Sequence, residues 1–445
     1  MSLLAQSFSE SRRTLSLASP IVAGFVGQML MGWADTIMVG QVGVIPLAAC
    51  AFANTVLAVP LVFGFAVLSS VSVRASHAFG GGRARMAGEA LRAGLVVGGV
   101  MGLSVVAAIY AALPLLPWLG QGSEINAACR NFLILCAWSA VPVFFTTAAK
   151  NFCEALSRPW VPFWIMIAGV SLNVGLNWIF IYGNLGAPAM GLDGAGVATL
   201  TARICVTAAL IAYVLVDSAL KDSLPEKWTE TGLWTEIRRL LAIGLPSGGM
   251  HLAEVSGFSF GSLMMGWLGA GALAAHQIAI TCAATTFMVP LGLSQAVSVR
   301  IGQARGAKEK GRYLPIIFGA LSMAIGIMAI FAVLFMSAGA TIAAWFVTNA
   351  GVTALAAQLL LVAGVFQIFD GVQITSAGAL RGFEDTRGPM LIGILSYWLV
   401  GLPISYFSAF RLGFGPPGIW FGFVVGLALA AAALVARLFL RLKRA

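Results

Sequence analysis

Three carboxylates lie inside apolar runs long enough to cross a membrane: Asp35, Glu254 and Asp370. An acid at bilayer depth is costly, so it either bonds neighbouring helices together or holds a proton, a metal ion or a cationic solute. Each has polar company at helical spacing. Gln28 precedes Asp35 by seven residues and shares roughly its helix face. His251 sits one turn before Glu254. Asp370 has Gln367 and Gln373 one turn to either side, with Phe366 four residues earlier. In a low-dielectric cavity a carboxylate is stabilised by protonation, by a bound ion or by an organic cation. If two of these compete for one charge, entry of the first expels the second, which is the chemistry of antiport.

Other polar residues in the apolar runs have two readings. Asn173 and Asn177, four residues apart, face the same way, as do Gln277, Thr281 and Thr285. Such stripes either hydrogen-bond between helices or line a cavity. Arg203 lies near the middle of its run, and an interior position paired with a carboxylate or carbonyls is expected. His251 and His276 read first as packing and hydrogen-bonding residues, and second as groups that take part in ion coupling. Sixteen Met and 28 Phe suit a cavity that accepts varied aromatic cations, and equally ordinary packing. Cys50, Cys129, Cys136, Cys153, Cys205 and Cys282 are scattered without a C-x-x-C pair, so neither a disulfide framework nor a cysteine metal site is expected.

The elements that must carry these residues follow from composition. Of 445 residues, 60% are hydrophobic and 9% charged, against about 25% charged in a soluble protein. A polytopic membrane protein is implied, and soluble enzyme classes are excluded. At about 20 apolar residues per crossing, the apolar runs give twelve spans. They lie near 16–39, 46–73, 90–113, 126–149, 160–183, 191–216, 239–265, 271–299, 314–337, 350–378, 388–410 and 415–436. Arg12 and Arg13 before the first run resemble a signal peptide, but the run contains Asp35 and meets no cleavage site, so it reads as a retained helix. The net charge of +10 is concentrated in the connections. With these spans, twenty-three of the 26 Lys and Arg fall on one side of the membrane, Arg130 and Arg411 on the other, and Arg203 within a span. That asymmetry places both termini in the cytoplasm and reads as topogenic, so no nucleic-acid partner is expected.

The chain also repeats itself at an offset of 226 residues. Pro20 matches Pro246, and Val71-Ser-Val-Arg74 matches Val297-Ser-Val-Arg300. Six spans separate the equivalents, so the halves are parallel repeats related by an axis along the membrane normal. The expected fold is all-α and integral to the membrane, with two pseudo-symmetric six-helix lobes at 1–216 and 239–445. The polar stretch 217–238, carrying Trp228 and Trp234, reads as a linker lying on the cytoplasmic face. At the same offset Gln28 matches Glu254 and Asp35 matches Gly261, so the lobes are not chemically equivalent.

Four segments carry a family resemblance: Ala34-Asp-Thr-Ile-Met-Val-Gly40, Met288-Val-Pro-Leu-Gly-Leu-Ser294 running into SVRIGQARG, Ala379-Leu-Arg-Gly-Phe-Glu-Asp-Thr-Arg387, and Ser396-Tyr-Trp-Leu-Val-Gly-Leu-Pro403. They resemble the multidrug and toxic compound extrusion (MATE) family, NorM-type branch, over essentially the whole chain. The resemblance implies a V-shaped, two-lobe antiporter of the bacterial inner membrane that confers resistance by exporting drugs, dyes and other organic cations. Export is in exchange for Na+ or H+, with no other cofactor, and a monomer in lipid is expected. It implies cation-coupling roles for Asp35, Glu254 and Asp370, with Na+ held by Glu254 and Asp370. Asn173 and Asn177 match polar residues near the first-lobe acid. Many relatives have a tyrosine where this chain has Phe366, which removes a phenolic ligand there.

Rival classes fit less well. A major-facilitator protein would carry an Asp-Arg pair in the loop after the second span, which here reads Gly80-Gly-Gly-Arg-Ala-Arg-Met-Ala-Gly88. A lipid-linked precursor flippase would want a cationic cavity, yet the intramembrane acids outnumber Arg203. An intramembrane enzyme would need a metal cluster, nucleophile motif or phosphate loop, and none lies within a span.

Overall fold

The computed structural model describes residues 3–119, 122–225, 228 and 232–444, and no strand occurs among them. Twelve long helical elements follow in order. They are α1 (Leu3–Gly40), α2 (Val44–Gly80), α3 (Ala84–Ala112), α4 (Ser123–Ala155, interrupted at Ser139), α5 (Trp160–Tyr182) and α6 (Leu192–Val216). The second half supplies α7 (Leu233–Trp267), α8 (Ala270–Gly306), α9 (Tyr313–Ala344), α10 (Ala350–Gly382), α11 (Arg387–Arg411) and α12 (Pro416–Arg444). Eleven are long and apolar enough to cross a membrane. The exception is α7, whose apolar run is diluted by Pro246-Ser-Gly-Gly249, His251 and Glu254. A 38-residue helix such as α1 is about 57 Å long, well beyond the ~30 Å hydrocarbon layer. The helices therefore run past the apolar segments that announce them.

By packing the chain forms two compact units, one of residues 23–248 and the other of residues 1–22 with 249–445. This division differs from the sequence boundaries at 216/217 and 238/239. The first part of α1 packs with the second half of the chain, and the first part of α7 with the first half. Both crossings come two residues after a helix proline, Pro20 or Pro246, and they are equivalent in the repeat.

Each exchanged segment is pinned by a buried acid. In the 1–22/249–445 unit, Arg300 donates through Nη2 to the Glu10 carboxylate, and through Nη1 to the Glu10 carbonyl (2.5 Å) and Thr14 Oγ1 (2.7 Å). Arg312 Nε adds a bond to Glu10 Oε1 at 3.2 Å. In the 23–248 unit, Arg74 grips Glu236 with a fork, Nε to Oε1 at 2.7 Å and Nη2 to Oε2 at 3.1 Å. Glu10 and Glu236 stand 226 residues apart, as do Arg74 and Arg300. Arg13 and Arg239, also one repeat apart, approach their glutamates from three residues on, at 3.7 and 3.4 Å. The arginine closing each Val-Ser-Val-Arg block thus holds the exchanged helix end by charge-assisted bonds.

The described part of the linker is less superficial than its polarity suggests. Leu220, Ser223 and Pro225 are buried, and the backbone of 223–225 lies so close to Gly88 of α3 that a Cβ there would fall 2.4 Å from the Ser223 carbonyl. Trp228 and Trp234 are exposed, and Arg238 stacks over Trp234 at 5.3 Å. Residues 226, 227 and 229–231 of the linker lie outside the described residues.

Candidate functional site

In the 23–248 unit, Asp35 is half-buried on α1 and meets the asparagine face of α5. Asn177 Nδ2 donates to Asp35 Oδ1 (2.5 Å) and to Asn173 Oδ1 (3.2 Å), and Asn173 Nδ2 donates to Thr199 Oγ1 of α6 (3.4 Å). Tyr182 OH, which contacts Met38 O (3.0 Å) and Gln41 Oε1 (2.8 Å), ties the end of α5 to the end of α1. Thr199, Arg203 and Thr207 recur every four residues and share one face of α6. Arg203 Nη1 donates to Ser139 Oγ (2.7 Å) at the break in α4, and Thr207 Oγ1 meets Thr146 Oγ1 (2.8 Å) just beyond. The Arg203 charge acts on Asp35 without touching it. Gln28 is exposed and does not join this network.

In the other unit, Glu254 of α7 and Asp370 of α10 are both buried and close enough for their charges to act on each other. Tyr397 OH of α11 donates to Glu254 Oε1 over a long 3.4 Å, and His251 Nδ1 lies 3.6 Å from Glu254 Oε2. Gln367 Nε2 bonds Thr286 Oγ1 of α8 (2.6 Å). Gln373, three residues on from Asp370 along α10, is fully buried with neither amide atom partnered. Tyr397 falls in a π-helical stretch, Leu395–Gly401, just before Pro403. Proline has no N–H for the carbonyl four residues back, and a π-turn there re-aims the side chains before it.

Aromatic rings close this site. Phe258 meets Phe366, Phe423 and Tyr397 at centroid distances of 5.8, 5.1 and 6.2 Å, and Trp420 meets Phe366 at 5.7 Å. The tenth-helix phenylalanine is thus a packing residue, and the phenol near the acids comes from α11. Trp420 Nε1 donates to His276 Nδ1 (3.2 Å), which leaves Nε2 to donate to Ser262 Oγ (3.0 Å). The ring is thereby held as a neutral tautomer, a packing node rather than an ion ligand. Gln277 is exposed, while Thr281 and Thr285 turn their hydroxyls back onto their own helix (2.7 and 2.8 Å). That stripe does not reach the acids.

Asp35 has no counterpart at its repeat position for a steric reason. A Cβ on Gly261 would fall 2.1 Å from the Phe423 ring, so the ring that closes the second site occupies the space an acid would need. Tyr397, Thr286 and Thr199 were not singled out by spacing, because each reaches its partner from another helix. The two sites differ in chemistry. One carboxylate solvated by amides can hold one proton or one cation, whereas two carboxylates in one apolar pocket repel and call for a cation between them.

The MatE family profile matches residues 20–179 and again 246–407, and the two matches start one repeat apart. A probable multidrug resistance protein NorM of Agrobacterium fabrum is 33% identical, covering 98% of this chain and 95% of its own. Its namesake in Mesorhizobium japonicum is 35% identical over 96% and 93%. Among solved structures, the eukaryotic MATE transporter AtDTX14 superposes with a TM-score of 0.90 at 17% identity, covering 99% of this chain and 98% of that one. The Vibrio cholerae MATE transporter VcmN in its bent form gives 0.86 at 21% identity over 99% and 98%. At these identities the likeness of structures shows the fold.

Proposed function

The chain belongs to the MatE family, whose members are multi-pass membrane transporters rather than enzymes, and from that premise we propose that it is a multidrug efflux antiporter. It exports organic cations and other amphipathic toxic compounds across a bacterial inner membrane in exchange for Na+ or H+, by alternating access. The observation that carries this reading is one intramembrane acid site in each unit, Asp35 in one and Glu254 with Asp370 in the other. Asp35 pairs with cationic cargo. Glu254 and Asp370 take the coupling ion, which relieves their repulsion, with His251, Tyr397 and Gln373 as neighbours. The membrane potential contributes about 2.3 kcal/mol per charge per 100 mV.

Efflux of an organic dye from proteoliposomes, with Na+ and pH gradients imposed separately, tests the reading. Transport driven by one gradient is expected, and transport indifferent to both would refute it. Both termini face the cytoplasm in this reading. A cysteine at exposed Ser123 should then react with an impermeant thiol reagent outside intact cells, and one at exposed Asp222 should not.

A further inference from the structure

Arg203 is the mid-span cation of the 23–248 unit, and its geometry leaves its charge uncompensated. Its guanidinium donates to the neutral Ser139 hydroxyl (2.7 Å), a residue with no exposure. Among the described residues no carboxylate comes within ion-pair distance of it. A guanidinium stays charged in any protein, and a charge at bilayer depth needs a partner or a function. Lys150, a buried cation of the same unit, is by contrast paired with Glu154 at 2.7 Å.

Arg203 stands one turn beyond Thr199, where the hydrogen-bonded chain from Asp35 through Asn177 and Asn173 ends. The face of α6 that closes the Asp35 network therefore also carries the guanidinium. The titratable groups that act on Asp35 are Arg203 of α6, Cys50 of α2 and Cys136 of α4, and the neutral amides of Asn173 and Asn177 reach it from α5. Tyr182 of α5 lies a turn away, against Met38 and Gln41. Free thiols are uncharged at neutral pH, so Arg203 supplies the fixed field.

We propose that Arg203 is the built-in counter-cation of Asp35 and sets the pH range over which that carboxylate takes and releases cationic cargo. The inference rests on the reading of Asp35 as the cargo-binding acid. A nearby positive charge favours the ionised carboxyl, so Asp35 stays available to cargo at lower pH than it would alone. The guanidinium also repels cargo, which aids release.

Binding of tetraphenylphosphonium to purified protein in nanodiscs across pH 5 to 9 tests the proposal, since the probe's own charge does not titrate. Arg203→Gln keeps a donor for Ser139 and removes the charge, and its binding midpoint is expected to move up by about one pH unit. Arg203→Lys, which keeps the charge, should hold the wild-type midpoint. Ser139→Ala, which removes only the hydrogen bond, should hold it too. An unmoved midpoint in Arg203→Gln, or an equal shift in Ser139→Ala, would overturn the proposal and leave Arg203 a brace for the break in α4. Asp35→Asn should flatten the profile. A wild-type profile in Asp35→Asn would instead overturn the reading of Asp35 itself, and this proposal with it.

Discussion

The two units use the same device at one end and different chemistry in the middle. Glu10 with Arg300 and Glu236 with Arg74 are the same pair one repeat apart. At membrane depth the correspondence stops. The 23–248 unit has a single acid, two amides and a fixed cation that acts on the acid without touching it. The other has two acids enclosed by Phe258, Phe366, Phe423 and Tyr397. A repeat can thus hold its mechanical parts constant while its binding sites diverge. The divergence is enforced sterically, since Phe423 fills the space opposite Gly261, the counterpart of Asp35.

The largest expected effect is on turnover. Asp35→Asn removes the only charge its amide neighbours solvate, and ion-driven dye efflux should fall to the level of empty vesicles while the protein still inserts and expresses. Efflux at wild-type rate would make the two sites unequal in a different way, with all the chemistry in one unit.

Next come the pinned helix ends, where the comparison predicts equality. Arg300→Ala leaves Glu10 with Arg312 and the more distant Arg13, and Arg74→Ala leaves Glu236 with Arg239. Breaking a buried pair outright costs about 3 to 5 kcal/mol, and each loss should fall below that because a second arginine remains on each glutamate. Thermal unfolding in detergent should show two similar losses. A large loss in one variant and none in the other would mean that the pairs share geometry but not use.

Gly261→Ala should destabilise by about 1 to 3 kcal/mol, because the Phe423 ring must move to admit a methyl group. A neutral Gly261→Ala would remove the steric reason for the asymmetry.

The smallest effect belongs to Tyr397→Phe. A 3.4 Å hydrogen bond to a carboxylate is worth at most about 1 kcal/mol at that length. Apparent ion affinity should weaken only a few-fold, read as the Na+ or proton concentration giving half-maximal efflux. A loss as deep as that of Asp35→Asn would promote Tyr397 to an indispensable ligand.

How much of this was legible in the sequence depends on whether a contact stays within one helix. The twelve helical segments follow from apolar runs and the repeat from Pro20 and Pro246. Asp35, Glu254 and Asp370 stand out because an acid inside an apolar run is itself a signal. The exchange of helix ends was hidden, although comparing acids as well as arginines at the 226-residue offset would have exposed Glu10 and Glu236. Tyr397 was hidden because its aim depends on a π-turn before Pro403, and no helical periodicity encodes that. Gln28 was drawn in by spacing and by its repeat match to Glu254, and Gln277 by spacing; both are exposed and neither bonds to the acids.

That the second site works as one unit, with a cation shared by Glu254 and Asp370, can be settled in reconstituted vesicles carrying Glu254→Gln, Asp370→Asn or both. If two acids hold one ion, each single variant should abolish ion-driven dye transport and the double should be no worse, since both changes remove the same step. Partial, independent losses that add in the double variant would show two separate sites and contradict the shared one.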